Sequence, residues 1–120
     1  MGRLDHRIAV VSGAAAGLGK AAAIRLASEG ATLELLDVRD STSVVEEIRK
    51  AGGDAFAHLC DVTSEEQIKN AVAAIASRHD HVDILVNNAG ILSGKSPWHE
   101  LPLEEVNRYL QINYVGYLTL

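Results

Sequence analysis

Apolar positions along this chain come in short consecutive runs, each followed by a stretch in which they recur every three or four residues. His6 to Ser12, centred on Ile8-Ala9-Val10-Val11, is the first run; Ala31 to Asp37, Ala55 to Cys60 and Val82 to Asn87 are the others. Consecutive apolar residues suit strands buried on both faces, as in a parallel sheet covered by helices. Between the runs the period is helical. Gly17 to Glu29 predicts a first helix, with Gly30 as its C-terminal stop. Ser41 to Ala51 predicts a second, with Val44, Val45 and Ile48 as its apolar stripe and Gly52-Gly53 as its end. A capping-box pattern, Thr63-Ser64-Glu65-Glu66, opens a third that runs to Arg78 with Ile68, Val72 and Ile75 on one face. A loop containing Gly90, Gly94 and Pro97 follows the fourth run, and Pro102 opens a fourth helix. Glu34 interrupts the second run, and predicts a side chain facing the edge of the helical layer.

Four alternations of strand and helix at short spacing are the mark of βαβ units and a parallel sheet. Right-handed crossovers then place helices on both faces. At 120 residues, 48% apolar and 22% charged, the chain suits one domain with a real core. The last helix is still in apolar rhythm at Leu118 and Leu120, with no closing glycine, asparagine or basic turn. The expectation is a single unit over 1–120, cut within its fourth helix. A net charge of −5 with no basic stripe argues against nucleic acid as a partner, and so does an aromatic content of 4%. Cys60 is the only cysteine, so no intrachain disulfide forms, and this fits a reducing cytoplasm. No apolar stretch is long enough to span a bilayer, and Arg3, Asp5 and Arg7 do not open a secretory signal.

The candidate chemistry lies at the strand ends. Ser12-Gly13-Ala14-Ala15-Ala16-Gly17-Leu18-Gly19 joins the first strand to the first helix. A strand, a glycine turn and a helix in that order present backbone N–H groups and a helix N-terminus to an anion. Gly13 can take positive φ, Gly17 lets a pyrophosphate approach the backbone, and Gly19 lets the helix sit close on the strand. A tight turn without a ligand is the plainer alternative. Asp37 ends the second strand 18 residues after Gly19, where an acid can accept from the ribose hydroxyls of adenosine and repel a 2′-phosphate. Arg39 weakens that discrimination, with its side chain expected to point away from Asp37. A capping or solvated aspartate is the alternative. Asp61-Val62 ends the third strand and reads equally as an adenine contact or a helix-capping turn. Asn87-Asn88-Ala89-Gly90 ends the fourth, where two asparagines and a glycine also make an ordinary turn. Val106, Leu110, Asn113 and Tyr117 share a helical stripe, and a buried amide such as Asn113 needs partners, whether catalytic or merely structural. His79-Asp80-His81 lacks a third ligand and reads as a polar helix end, so no metal is expected.

Taken together, Ser12-Gly13-x-x-x-Gly17-x-Gly19, Asp37, Asp61-Val62 and Asn87-Asn88-Ala89-Gly90 resemble the short-chain dehydrogenase/reductase family, over about the first half of a typical member. The resemblance implies a three-layer α/β Rossmann fold with a parallel sheet, of which these residues make the first four βα units. It implies NAD as cofactor, held at its pyrophosphate and adjacent ribose by Gly13, Ala16, Gly17, Leu18 and Gly19. Asp37 would hold the adenosine ribose, Asp61 and Val62 would flank the adenine, and Asn88 and Gly90 would line the nicotinamide side. Ala16 stands where many NADP-preferring members carry a basic residue, which again favours NAD. Asn113 matches the family's catalytic asparagine. The substrate would be a small-molecule alcohol or ketone, and the whole protein a homo-oligomer. The family's chemistry also needs a serine and a Tyr-x-x-x-Lys pair. Tyr109, Tyr114 and Tyr117 have no such lysine, so these 120 residues are expected to bind cofactor at most. The readings of another class are a non-catalytic dinucleotide-binding module and a self-associating fragment.

Overall fold

The computed structural model describes residues 2–88. Gly90, Asn113 and the helix expected from Pro102 lie outside them. The order is β1 (Ile8–Ser12), α1 (Gly17–Ser28), β2 (Thr32–Asp37), α2 (Thr42–Lys50), β3 (Asp54–Leu59), α3 (Glu65–Arg78) and β4 (Ile84–Val86). All four strands are parallel, in the order β3-β2-β1-β4. The expected alternation is therefore observed as far as β4.

Each strand presents alternate side chains to opposite layers. Ala9 and Val11 of β1, Leu33 and Leu35 of β2 and Ala55 of β3 pack with Ala23 of α1 and Val44, Val45 and Ile48 of α2. On the other face Val10, Leu36 and Cys60 pack with Ile68, Ala71 and Ile75 of α3. Both faces are covered, which is why the runs read as consecutive apolar residues. Burial pushes the Cys60 thiol up, and the charge of Asp61 adds to that, so it is a packing residue.

Most element limits fall within a residue of expectation, and the larger differences have a physical reason. β1 begins at Ile8, two residues late, because His6 sits at φ +68 in a turn closed by Arg7 N–H on the Leu4 carbonyl (3.0 Å). The cap of α3 is Ser64, one residue later than the pattern suggested. Its hydroxyl accepts from Gln67 N–H (3.3 Å), while the Thr63 hydroxyl donates to Asp61 (2.6 Å). β4 is only Ile84–Val86, because Asn88 N–H turns back to the Val86 carbonyl at 3.1 Å. Glu34 is not at an edge but fully buried beneath α3, bonded to Arg78 and His58.

Asp83 pins the start of β1 to that of β4. Its Oδ2 accepts from Ile8 N–H at 2.8 Å, and Arg7 and His81 lie at 3.4 and 3.3 Å from Oδ1. The Ile8 amide, then the charges of His81 and Arg7, hold its carboxyl below the usual aspartate range. A depressed native pKa contributes stability above the unfolded value, near 3.8, and loses it as pH falls through the native one. Asp83→Asn is therefore expected to be less stable than the parent at neutral pH, with the gap closing towards about pH 2. Denaturant melts at the two pH values check this, and a gap that stays constant would show that the charge contributes nothing.

Candidate functional site

The carboxyl ends of β1, β2 and β3, and the short β4 beside them, bring the glycine turn, Asp37, Asp61 and Asn88 to one edge of the sheet. Backbone bonds fix the turn to β2: Gly13 N–H and Ala14 N–H both donate to the Leu36 carbonyl, at 2.8 and 3.4 Å. Gly13 has φ +69 as the chain leaves β1, as the sequence suggested. Ser12 is fully buried. Its hydroxyl donates to the Val86 carbonyl (3.3 Å) and accepts from Asn88 N–H (3.0 Å), joining β1 to the end of β4. The Asn88 side-chain amide reaches the Gly13 carbonyl at 3.4 Å. Gly19 is where the helix meets this junction: a Cβ there would lie 2.0 Å from the Gly13 oxygen and 2.6 Å from Asn88 Nδ2.

Gly17 is different. It has φ +60, and a Cβ on it would meet nothing within 4 Å. Ala16, the extended N-cap of α1, gives no side-chain cap, and the first turn carries no acid. Ala16 and Leu18 are exposed, Leu18 to 82%. This is an open, electropositive helix end with room for an anion. A second hollow, of about 460 Å³, lies at the opposite end of the strands. It is lined by Ser28, Gly30, Ala51 and Gly52, at the C-terminal ends of α1 and α2, where helix dipoles disfavour phosphate.

Asp37 is buried, with its side chain only 5% exposed. Oδ2 accepts from Ala15 N–H and Oδ1 from Arg39 N–H, both at 2.9 Å. Arg39 does not point away as expected: its Nε lies 3.5 Å from Oδ1, because the backbone bond folds the chain back over the carboxylate. Cys60 N–H donates to the Asp37 carbonyl at 2.9 Å, which sets Asp61 beside Asp37. Asp61 Oδ1 accepts from the Thr63 amide and hydroxyl, at 2.9 and 2.6 Å, so the turn role is present in the geometry. Val62 is buried next to it, whereas Val38, beyond Asp37, is 64% exposed. One contributor escaped the sequence reading: the Ala15 amide, which has no side-chain signature. Among the described residues, no group of three or more His, Cys, Asp or Glu could hold a metal ion, and no helix is long and apolar enough to cross a membrane.

A parallel sheet with a glycine turn after β1 and an acid at the end of β2 is a Rossmann-type arrangement. The family model for short-chain dehydrogenases matches residues 7–120. The 7alpha-hydroxysteroid dehydrogenase of Escherichia coli (strain K12) is 38% identical over 120 residues, covering 98% of this chain and 46% of that protein. A solved 7 alpha-hydroxysteroid dehydrogenase complexed with NADH and 7-oxo glycochenodeoxycholic acid superposes with a TM-score of 0.88 at 38% identity, over 98% of this chain and 46% of that one. A metagenomic short-chain oxidoreductase in complex with NADP superposes with a TM-score of 0.90 at 33% identity, over 98% and 54%. The chain belongs to the short-chain dehydrogenase family, and it spans about half the length of the relatives it matches.

Proposed function

We propose that these residues form the NAD-binding half of a dehydrogenase that moves a hydride between NAD(H) and a secondary alcohol or ketone. The observation that carries the reading is the open turn at Gly17, at an uncapped helix end, with a buried acid on the neighbouring strand. The residues fit the cofactor. The turn from Gly13 to Gly19, with Ala16 and Leu18 exposed beside Gly17, would hold the pyrophosphate. The Asp37 oxygens would accept from the adenosine ribose. Asp61 and Val62 would flank the adenine, and Asn88 and Gly90 would line the nicotinamide side. The nicotinamide accepts or donates the hydride when bound. This chain's part is to hold it in register with a carbonyl and to exclude water. Asn113 would support the proton relay, and these 120 residues contain no Tyr-x-x-x-Lys pair of the kind the family's chemistry needs. Asp37 and Ala16 favour NAD over NADP. The hydroxysteroid relative supports an alcohol substrate, and the single Cys60 fits a reducing cytoplasm. By the same family resemblance the whole protein is a homo-oligomer.

Fluorescence titration of NADH and a screen of alcohols and ketones with NAD and NADP test the reading. Saturable NADH binding without turnover of any alcohol by the whole protein would favour a non-catalytic binding module. Gly17→Ala separates the cradle from the fold. Its positive φ costs an alanine roughly 1–2 kcal/mol, and the Cβ stands in otherwise open space. NADH affinity is expected to fall about tenfold or more while the protein stays folded. Unchanged affinity would remove the pyrophosphate from this turn.

A further inference from the structure

Asp37 is bonded to the glycine turn itself. Gly13 and Ala14 hang on the Leu36 carbonyl, and Asn88 holds the Gly13 carbonyl from the other side. Ala15 lies further along the turn, between Gly13 and Gly17, both at positive φ. Its amide is held by the Asp37 side chain, at 2.9 Å, with that carboxylate almost wholly out of solvent. We infer that Asp37 is a positioning residue for the pyrophosphate cradle in addition to being an acceptor for the ribose, and that the oxygen facing Ala15, not the negative charge, does the positioning. The inference rests on the cofactor reading above. The two roles are compatible, since a carboxylate has about four acceptor positions and main-chain amides occupy two. Removing the acceptor should therefore weaken every dinucleotide, including one with a 2′-phosphate that the charge repels.

Asp37→Ala and Asp37→Asn discriminate. Both remove the charge; asparagine keeps one oxygen, enough for the Ala15 amide but not for the Arg39 amide as well, and alanine keeps none. NADPH is expected to bind Asp37→Asn about fivefold or more tightly than Asp37→Ala. In the absence of cofactor, hydrogen exchange of the Ala15 amide should be about tenfold faster in Asp37→Ala and within about threefold of the parent in Asp37→Asn. Leu33 and Leu35 amides, in the core of β2, should exchange alike in all three and report an intact fold. Equal NADPH affinity in the two variants, or unchanged Ala15 exchange in Asp37→Ala, overturns the inference. If Asp37→Ala does not fold, Ala15 exchange in the parent and in Asp37→Asn decides, and a random-coil rate in either overturns it. If no dinucleotide binds the parent, the cofactor reading falls and the cradle role falls with it, even where Ala15 exchange shows that Asp37 holds the turn.

Discussion

Replacing Arg78 by methionine is expected to destabilise the protein by about 3 kcal/mol. Glu34 is fully buried, and its Oε1 receives Arg78 Nη2 and Nε at 2.9 and 3.2 Å and His58 Nε2 at 3.3 Å. Oε2 has no partner among the described residues. The guanidinium also lies over the Phe56 ring, 3.9 Å from its centroid, so one cation ties α3 to both β2 and β3. Methionine keeps much of the stem and the contact with the ring but leaves the carboxylate with His58 alone. The cost sits at the low end of the range for breaking a buried pair because the Arg78 side chain is itself 35% exposed. Replacing both partners removes the orphaned charge. Glu34→Leu combined with Arg78→Met is therefore expected to recover at least half of the loss, roughly 1.5 kcal/mol. Urea unfolding of the two single variants and the double variant measures this. A loss well under 1 kcal/mol for Arg78→Met would mean that Glu34 does not depend on that guanidinium.

Gly19→Ala is expected to cost stability and cofactor together. The added Cβ would sit 2.0 Å from the Gly13 carbonyl oxygen, a backbone atom fixed by β1 and by the bond from Asn88. Relief requires moving the turn or lifting α1 from the sheet, and overpacking of this kind costs about 3 kcal/mol. Because the displaced atoms belong to the cradle, NADH affinity should fall about a hundredfold. The contrast with Gly17→Ala is diagnostic. At Gly17 the missing Cβ leaves room for a ligand, and at Gly19 it leaves room for the protein itself. Calorimetric melts and NADH titrations of the two variants should show one that is folded but weak-binding and one that is impaired in both. A Gly19→Ala protein with the parent's melting temperature would show that the turn has slack.

These contrasts mark what was legible in the chain. The strands were visible because burial on both faces leaves consecutive apolar residues, and the turn glycines because φ near +60 to +70 is open mainly to residues without a Cβ. Family membership followed from several weak motifs, each falling at a strand end. Strand limits were less visible. His6 carries no sign of its positive φ, and the shift of the α3 cap from Thr63 to Ser64 depends on which hydroxyl the Asp61 carboxylate takes first.

The sequence by itself determined the parallel α/β layering, the place of the glycine turn and the acid that ends β2. Those features depend on local backbone freedom and on the period of apolar residues, both of which are written residue by residue. Only the tertiary structure decided that Glu34 is a buried anion held from α3, that Arg39 folds back on Asp37, and that Asp37 grips the Ala15 amide. Two of these join groups that the chain separates, by 44 residues for Glu34 and Arg78 and 22 for Asp37 and Ala15, whereas Arg39 turns back through a bond to the acid two residues before it. A carboxylate's partner depends on which donors surround it in space, and periodicity along the chain carries no record of that.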